Sequence, residues 1–358
     1  MSILLVPDLI SVLNTFIEEL DEIILLSHVS KSLYKYKFNI SILKRYNSLI
    51  VSLISMKYKI IKLKYFPSFK LSKQMLRNVQ RLYCHYNINI PNSAIRNNIN
   101  LTHLDCGFND KLTDEGIFYS YNLTYLNCAF NKNFTDKCLH YLTNLTTLIC
   151  GHANFTNKGL SYLLNLTHLD CSYNNNFTDK GLSYLPKLTY LDCGFNSKFT
   201  NTGLSYVRNL TYLDCGINNN FTDSGLFYLR KLRCLKCQEN KRFTDDGLFY
   251  LSHLKILDCS ETGNFTNRGL SYIRNLRELH CGYNKFTNRG LRYVSQLTII
   301  HCGWNNSFTD RGLFRLHYLT ELYCDGNTKI TIRLLKCLTN IKYIDYGDNL
   351  TLQIDCQL

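Results

Sequence analysis

The chain reads as an α/β solenoid, a horseshoe of short units with a parallel β-sheet on its concave face. Three observations predict it. The first is a period: Cys84, Cys106, Cys128, Cys150, Cys171, Cys193, Cys215, Cys237, Cys259, Cys281, Cys302 and Cys324 stand 22 or 21 residues apart, and Tyr346 takes the thirteenth place. A fixed period of that length belongs to a solenoid, in which each unit buries its apolar face only against its neighbours. The second is local: Leu126 and Cys128 alternate with Tyr125, Asn127 and Ala129, the period of a strand with one face inward. The third is Asn, three residues after the ladder position in eleven of the thirteen units, with Ala153 and Thr262 as the exceptions. A sharp turn inside a solenoid leaves backbone groups away from water, and stacked amides pair them.

The return leg follows from the same unit. In Phe134-Thr135-Asp136 the ring points inward, Thr135 caps a short helix and Asp136 suits its positive end. Leu139 and Leu142 then give that turn its apolar side. The motif L-x-x-L-x-C-x-x-N, as in Leu123-Thr-Tyr-Leu126-Asn-Cys128, resembles the leucine-rich repeat with Cys replacing a Leu, over roughly residues 79–349. Tyr58-x-x-Ile61-x-Leu63 fits the strand pattern 21 residues before Cys84 and reads as a degenerate first unit.

A chain of 358 residues with 45% hydrophobic content holds a large core, and repetition explains a single domain of this length. No apolar run reaches the ~18 residues of a membrane span. Residues 1–30 carry five acids and no Lys or Arg, so the basic start of a signal peptide is missing and an intracellular location, cytoplasmic or nuclear, is expected. The cysteine ladder reads as reduced thiols packed as small core hydrophobes. The Asn-x-Thr sequons, such as Asn122-Leu-Thr124 and Asn133-Phe-Thr135, are by-products of the repeat beside core positions.

The first 46 residues differ in kind. Val6-Pro7-Asp8-Leu9 opens a helix, Glu18 to Glu22 interrupts it, Ile23 to Leu33 forms a second, and Tyr34–Tyr46 reads as a third. The order of Pro-Asp, an apolar helix, an acidic turn and Leu25-Leu26-Ser-His-Val29-Ser30-Lys31 resembles the F-box. Leu9-Ile10 stands where an F-box has Glu-Leu, and the two halves align only with a one-residue shift. A plain cap on the open end of the solenoid is the other reading, and the two are compatible. The expected organisation is 1–46 F-box-like, 47–78 basic connector and repeat cap, and 79–358 solenoid. Residues 31–100 hold fourteen Lys or Arg and no acid, and the chain's net charge is +14. The lysines are interleaved with apolar residues, as on a wet face, and binding of nucleic acid there is disfavoured.

Strand alternation says which side chains line the concave wall. Just before the ladder position come Asp170, Asp192, Asp214, Asp258, His280, His301 and Tyr323; two residues earlier come Tyr125, Tyr190 and Tyr212; two after it comes Trp304. These eleven residues are the candidate substrate-binding set. The wall is aromatic and acidic, which suits a Lys- or Arg-bearing protein segment and repels phosphates. Units that break the pattern, with Lys236, Glu278, His280, His301, Trp304, Glu321 and Tyr323, cluster in the C-terminal half.

No catalytic residue, metal site or cofactor is expected. Cys234-x-x-Cys237 on a strand points its thiols to opposite faces, and Asp258, His280 and His301 form a metal triplet only in spacing. Together, the two resemblances imply the substrate receptor of an SCF-type ubiquitin ligase. Pro7, Leu9, Ile10, Leu13, Phe16, Leu25, Leu26 and Val29 would dock on a Skp-family adaptor, itself bound to a cullin, and the repeats would hold the substrate protein. The composition is similar to F-box/repeat proteins of large DNA viruses and protists, an analogy that would put adaptor and substrate in a host cell. A repeat scaffold with no ubiquitin link, and a nucleic-acid binder led by residues 31–100, are the alternatives.

Overall fold

The computed structural model describes residues 40–42, 60–63, 76, 79–85, 90–96 and 98–347. The chain divides into two compact units, Met1–Leu166 and Thr167–Leu358. In the first, strands β1 (Ile40–Ile42), β2 (Ile60–Leu63), β3 (Arg81–Tyr83), β4 (His103–Asp105), β5 (Tyr125–Asn127) and β6 (Thr147–Ile149) pair in sequence order, all parallel. In the second, β7 (His168–Asp170), β8 (Tyr190–Asp192), β9 (Tyr212–Asp214), β10 (Cys234–Lys236), β11 (Ile256–Asp258), β12 (Glu278–His280), β13 (Ile299–His301), β14 (Glu321–Tyr323) and β15 (Tyr343–Asp345) do the same. The sequence period becomes the pairing register, Leu191 against Leu213 and Leu279 against Ile300. A one-residue slip would turn every inward Leu to the other face.

The degenerate unit expected around Ile61 is a strand, paired Ile61 to Leu82. One more strand precedes it. Ile40–Ile42 lies inside the stretch expected as a third helix and pairs with β2. The β-branched alternation Ile-Ser-Ile, with a strand edge to join, prevails over the helical spacing. The F-box-like residues Pro7, Leu9, Ile10, Leu13, Phe16, Leu25, Leu26 and Val29 lie outside the described residues. Among the described residues no helix is long and apolar enough to cross a membrane.

Each repeat closes around one layer of core. In residues 210–229, Leu210, Leu213, Cys215, Phe221, Leu226 and Leu229 are all fully buried. The helices are four to six residues long, as in Asp136–Leu139 and Asn201–Tyr206, so Leu142 falls in the turn after its helix and is buried there. Helices this short contribute little by themselves, and the packing between units carries the fold.

Polar columns join the layers. The thiols of Cys106, Cys128, Cys171, Cys193, Cys215, Cys259 and Cys281 are aimed at the carbonyl that their own N–H already engages: Cys193 Sγ donates to Asp214 O at 3.5 Å and Cys193 N–H to the same oxygen at 2.8 Å. A Leu would leave that second lone pair unused. Asn218 Nδ2 donates to Asn196 O and Phe199 O of the preceding repeat, and its Oδ1 accepts from Asn220 N. Where Thr262 replaces Asn, Asn284 reaches back to Cys259 O at 2.6 Å and meets the Thr262 hydroxyl at 2.9 Å.

The Asp of Thr-Asp-x-Gly has a different duty from the one expected. Asp114 accepts from Thr135 N at 2.8 Å and from Thr135 Oγ1 at 2.6 Å, binding one repeat to the next instead of serving its own helix. A four-residue helix has little macrodipole to complement. The Thr hydroxyl gives its proton to the carboxylate and keeps lone pairs for the cap, so Thr135 also accepts from Lys137 N. Against an amide the roles reverse: Asn201 Nδ2 donates to Thr222 Oγ1, and Thr222 makes no cap bond. Thr287 departs from this, capping Arg289 N although Asn267 donates to it. At Gly159, two residues after Asn157, an added Cβ would crowd Asp136 Oδ1 of the preceding repeat, although Cys138 occupies the same position beside the Asp114–Thr135 bond. The sequon amides are engaged as well: Asn122 Nδ2 donates to Ile99 O and Asn133 Nδ2 to Asp110 O.

Candidate functional site

The strand face of the second unit gathers nine of the eleven candidate residues, in two blocks. On β7 to β10, residues in register form two columns: His168, Tyr190 and Tyr212 in one, Asp170, Asp192, Asp214 and Lys236 in the other. Tyr190 and Tyr212 stack at 4.0 Å with their planes 8° apart, and His168 stacks on Tyr190 at 5.5 Å. Parallel strands ~4.8 Å apart set this spacing, so identical residues in register must stack. The Lys236 ammonium lies 5.7 Å from the Tyr212 ring centre.

The carboxylates are held by their own turns. Gly194 N–H donates to Asp192 Oδ1 and Gly216 N–H to Asp214 Oδ1, both at 3.2 Å. Ser172 donates to Asp170 from its backbone N–H and its hydroxyl. Burial, then the charges of Asp170 and Asp214, pushes Asp192 up to about 7. Burial also raises Asp214, offset in part by Lys236. The column therefore bears less than its formal charge at neutral pH, and a cation placed on it would restore the charge. Burial pushes Cys234, between these blocks on β10, up to about 12, so its thiol is a poor nucleophile.

The second block lies on β11 to β14. His280, His301 and Tyr323 stack with ring centres 3.9 and 3.7 Å apart and planes within 11°. Carboxylates fix the outer rings: Glu278 Oε1 is 2.7 Å from His280 Nε2, and the Tyr323 hydroxyl donates to Glu321 Oε2 at 3.0 Å. Burial, then His280, lowers His301 to about 4, keeping it neutral. Asp258 accepts from Gln238 Nε2 at 2.5 Å and from Ser260 N–H at 3.2 Å, and lies 4.0 Å from His280 Nδ1. Stacked imidazoles carry their lone pairs in parallel planes, which do not converge on one ion.

Two candidates lie elsewhere. Tyr125 is on β5 of the first unit, stacked on His103 at 5.7 Å. Trp304 is off the strand, in the turn after β13, with a left-handed φ of 58°. Phe108, Phe130, Tyr173, Phe195 and Tyr283 share that conformation: in the first unit Phe108 stacks on Phe130 at 4.2 Å, and in the second Tyr173 stacks on Phe195 at 4.2 Å and Tyr283 on Trp304 at 6.2 Å. Gly326 takes the same place in the next repeat, where a Cβ would strike the Trp304 ring. Ile217 shows the rule by exception: a β-branched residue resists positive φ, and Gly216 takes it instead at 41°. The signal legible in the sequence was Gly326 at an aromatic position.

A family model described as leucine-rich repeat matches residues 97–119 and 162–185. No curated protein matches the chain in sequence. Among solved structures, an internalin (inlF) of Listeria monocytogenes is similar at 21% identity and TM-score 0.60, over 84% of this chain and 87% of that one. The functional domain of InlJ from Listeria monocytogenes, described as including a cysteine ladder, is similar at 31% identity and TM-score 0.54, over 71% of this chain and 55% of that one. This chain thus spans little more than half of that structure. The Rad7 and Elc1 complex of yeast contains a similar fold at 17% identity and TM-score 0.57, over 79% of this chain and 84% of that one. Parallel register, inward ladder and these neighbours make the chain a leucine-rich-repeat solenoid.

Proposed function

We propose that this chain works by binding and not by catalysis, and that the strand face of residues 167–358 takes a segment of a partner protein. The carrying observation is the His280–His301–Tyr323 stack fixed by Glu278 and Glu321. These residues depart from the repeated Asp, and held aromatic rings offer contact area at small entropic cost. The Tyr190–Tyr212 block, with its carboxylates, favours a Lys or Arg on the same segment.

The finer reading is a substrate-recognition subunit of an SCF-type ubiquitin ligase, in cytoplasm or nucleus, with a Skp-family adaptor and cullin as partners. Its support is the F-box-like order of residues 4–46, and the reduced, buried thiol ladder suits a reducing compartment. The action would be proximity, with the substrate held near the ubiquitin carrier. The test is a pull-down from a eukaryotic lysate of the intact chain beside a Pro7→Ala/Leu13→Ala variant, probed for adaptor and cullin. Capture by the first and loss in the second, with unchanged circular dichroism, supports the ligase role. No adaptor with either leaves a binding scaffold.

A further inference from the structure

We propose that the helix side of the second unit carries a separate binding surface for single-stranded nucleic acid, centred on Arg208, Arg230, Arg274 and Phe249. Arg208 Nε donates to Ser205 O at 2.8 Å and its guanidinium lies 5.3 Å from the Tyr228 ring centre. Arg274 repeats the arrangement, with Nε on Ser271 O at 3.0 Å and Tyr293 beneath at 5.8 Å. Arg230 lies over Phe227 at 4.9 Å. A guanidinium fixed through Nε and one face presents its two outer nitrogens as a ready fork for an anionic oxygen pair. Among the described arginines Arg268 pairs with Asp246, whereas Arg208, Arg230 and Arg274 have no carboxylate partner.

The rings between these forks give the ligand its class. Phe227 meets Tyr250 edge to face at 5.2 Å, and Phe249 meets Tyr272 at 5.3 Å. Phe249 is 61% exposed and Phe227 42%, although each has a buried Leu beside it to pack on. Phosphates on guanidinium forks with bases on open rings is the pattern of single-strand binding. An acidic peptide would use the forks and leave the rings idle. The carboxylates of the strand face repel phosphates, which confines such a ligand to the helix side.

The test is fluorescence anisotropy of the full chain with a labelled 20-nucleotide oligo(dT), beside an R208E/R230E/R274E variant that keeps every lysine of residues 31–100. With three phosphates engaged, the association constant falls roughly 20-fold between 50 and 200 mM salt, and the triple variant loses binding. Phe249→Ala weakens binding about 5-fold or more. The proposal is overturned if the triple variant binds as tightly as the native chain. It is overturned equally if polyglutamate displaces the oligonucleotide at equal charge while Phe249→Ala changes nothing, which would assign the forks to an acidic protein. The charge reversals lie on exposed side chains, and unchanged circular dichroism keeps either result interpretable.

Discussion

The two blocks of the second unit's strand face stand on the same scaffold and differ in what they add to it. Under Tyr190 and Tyr212 the repeat is regular: each Asp closes its own turn, and only ring stacking and one lysine are extra. Under His280, His301 and Tyr323 the Asp is replaced, and new carboxylates two residues earlier on the same strands fix the outer rings, His280 and Tyr323. A repeated residue is already employed by the repeat. A departure from the repeat is where selection for a partner is legible.

The largest effects test whether the two scaffolds are equal. Leu213→Ala and Ile300→Ala each remove a fully buried side chain, one beneath each block, and each is expected to lower stability by about 3 kcal/mol. Urea unfolding that finds one of them far cheaper would show unequal cores. Next comes the polar column. Asn218→Ala strands two carbonyls and a turn N–H and is expected to cost about 2–3 kcal/mol. Thr262→Ala, where Asn284 already bridges to Cys259 O, is expected to cost about 1 kcal/mol.

A smaller effect separates the blocks by sign. Asp192 is held at about 7, above its ordinary 3.8, so the folded chain binds that proton more tightly and the Asp block loses stability as pH rises from about 4 to 7. His301 is held at about 4, below its ordinary 6.5, so the unfolded chain binds that proton more tightly; its block is fully stable above about 6.5 and weakens as pH falls toward 4. The two offset each other in the native chain. Asp192→Asn should therefore unmask stability rising with pH over that window, and His301→Phe stability falling with it, each on the order of 1 kcal/mol after solvent screening. Thermal melts at pH 4.5 and 6.5 read both signs; matching slopes would break the contrast. The smallest expectation is Arg268→Ala, which loses the exposed pair with Asp246 and an exposed bond to the Tyr272 hydroxyl and should barely move the melting temperature.

Much of this was legible in the sequence, because a solenoid writes its register as a period. Cysteine spacing placed every strand from β3 to β15, and alternation placed Asp192 and His301 on the strand face. What was hidden needs two repeats at once. Asp136 looks like a helix-start residue until Thr156 of the next repeat is seen to hold both its oxygens. Phe130 and Trp304 look like strand-face residues until the backbone turns left-handed beneath them. The aromatic and arginine row of the helix side, spread over positions 208–293, has no local motif.

The most direct test of strand-face recognition is site-specific photocrosslinking in cells. A benzophenone side chain goes at Ile256, between the two blocks, and in a second variant at Tyr184 on the helix side. Strand-face binding predicts a discrete protein adduct from position 256 that His301→Ala/Tyr323→Ala removes and that position 184 does not give. No adduct at 256, or the same protein adduct from both positions, would contradict it.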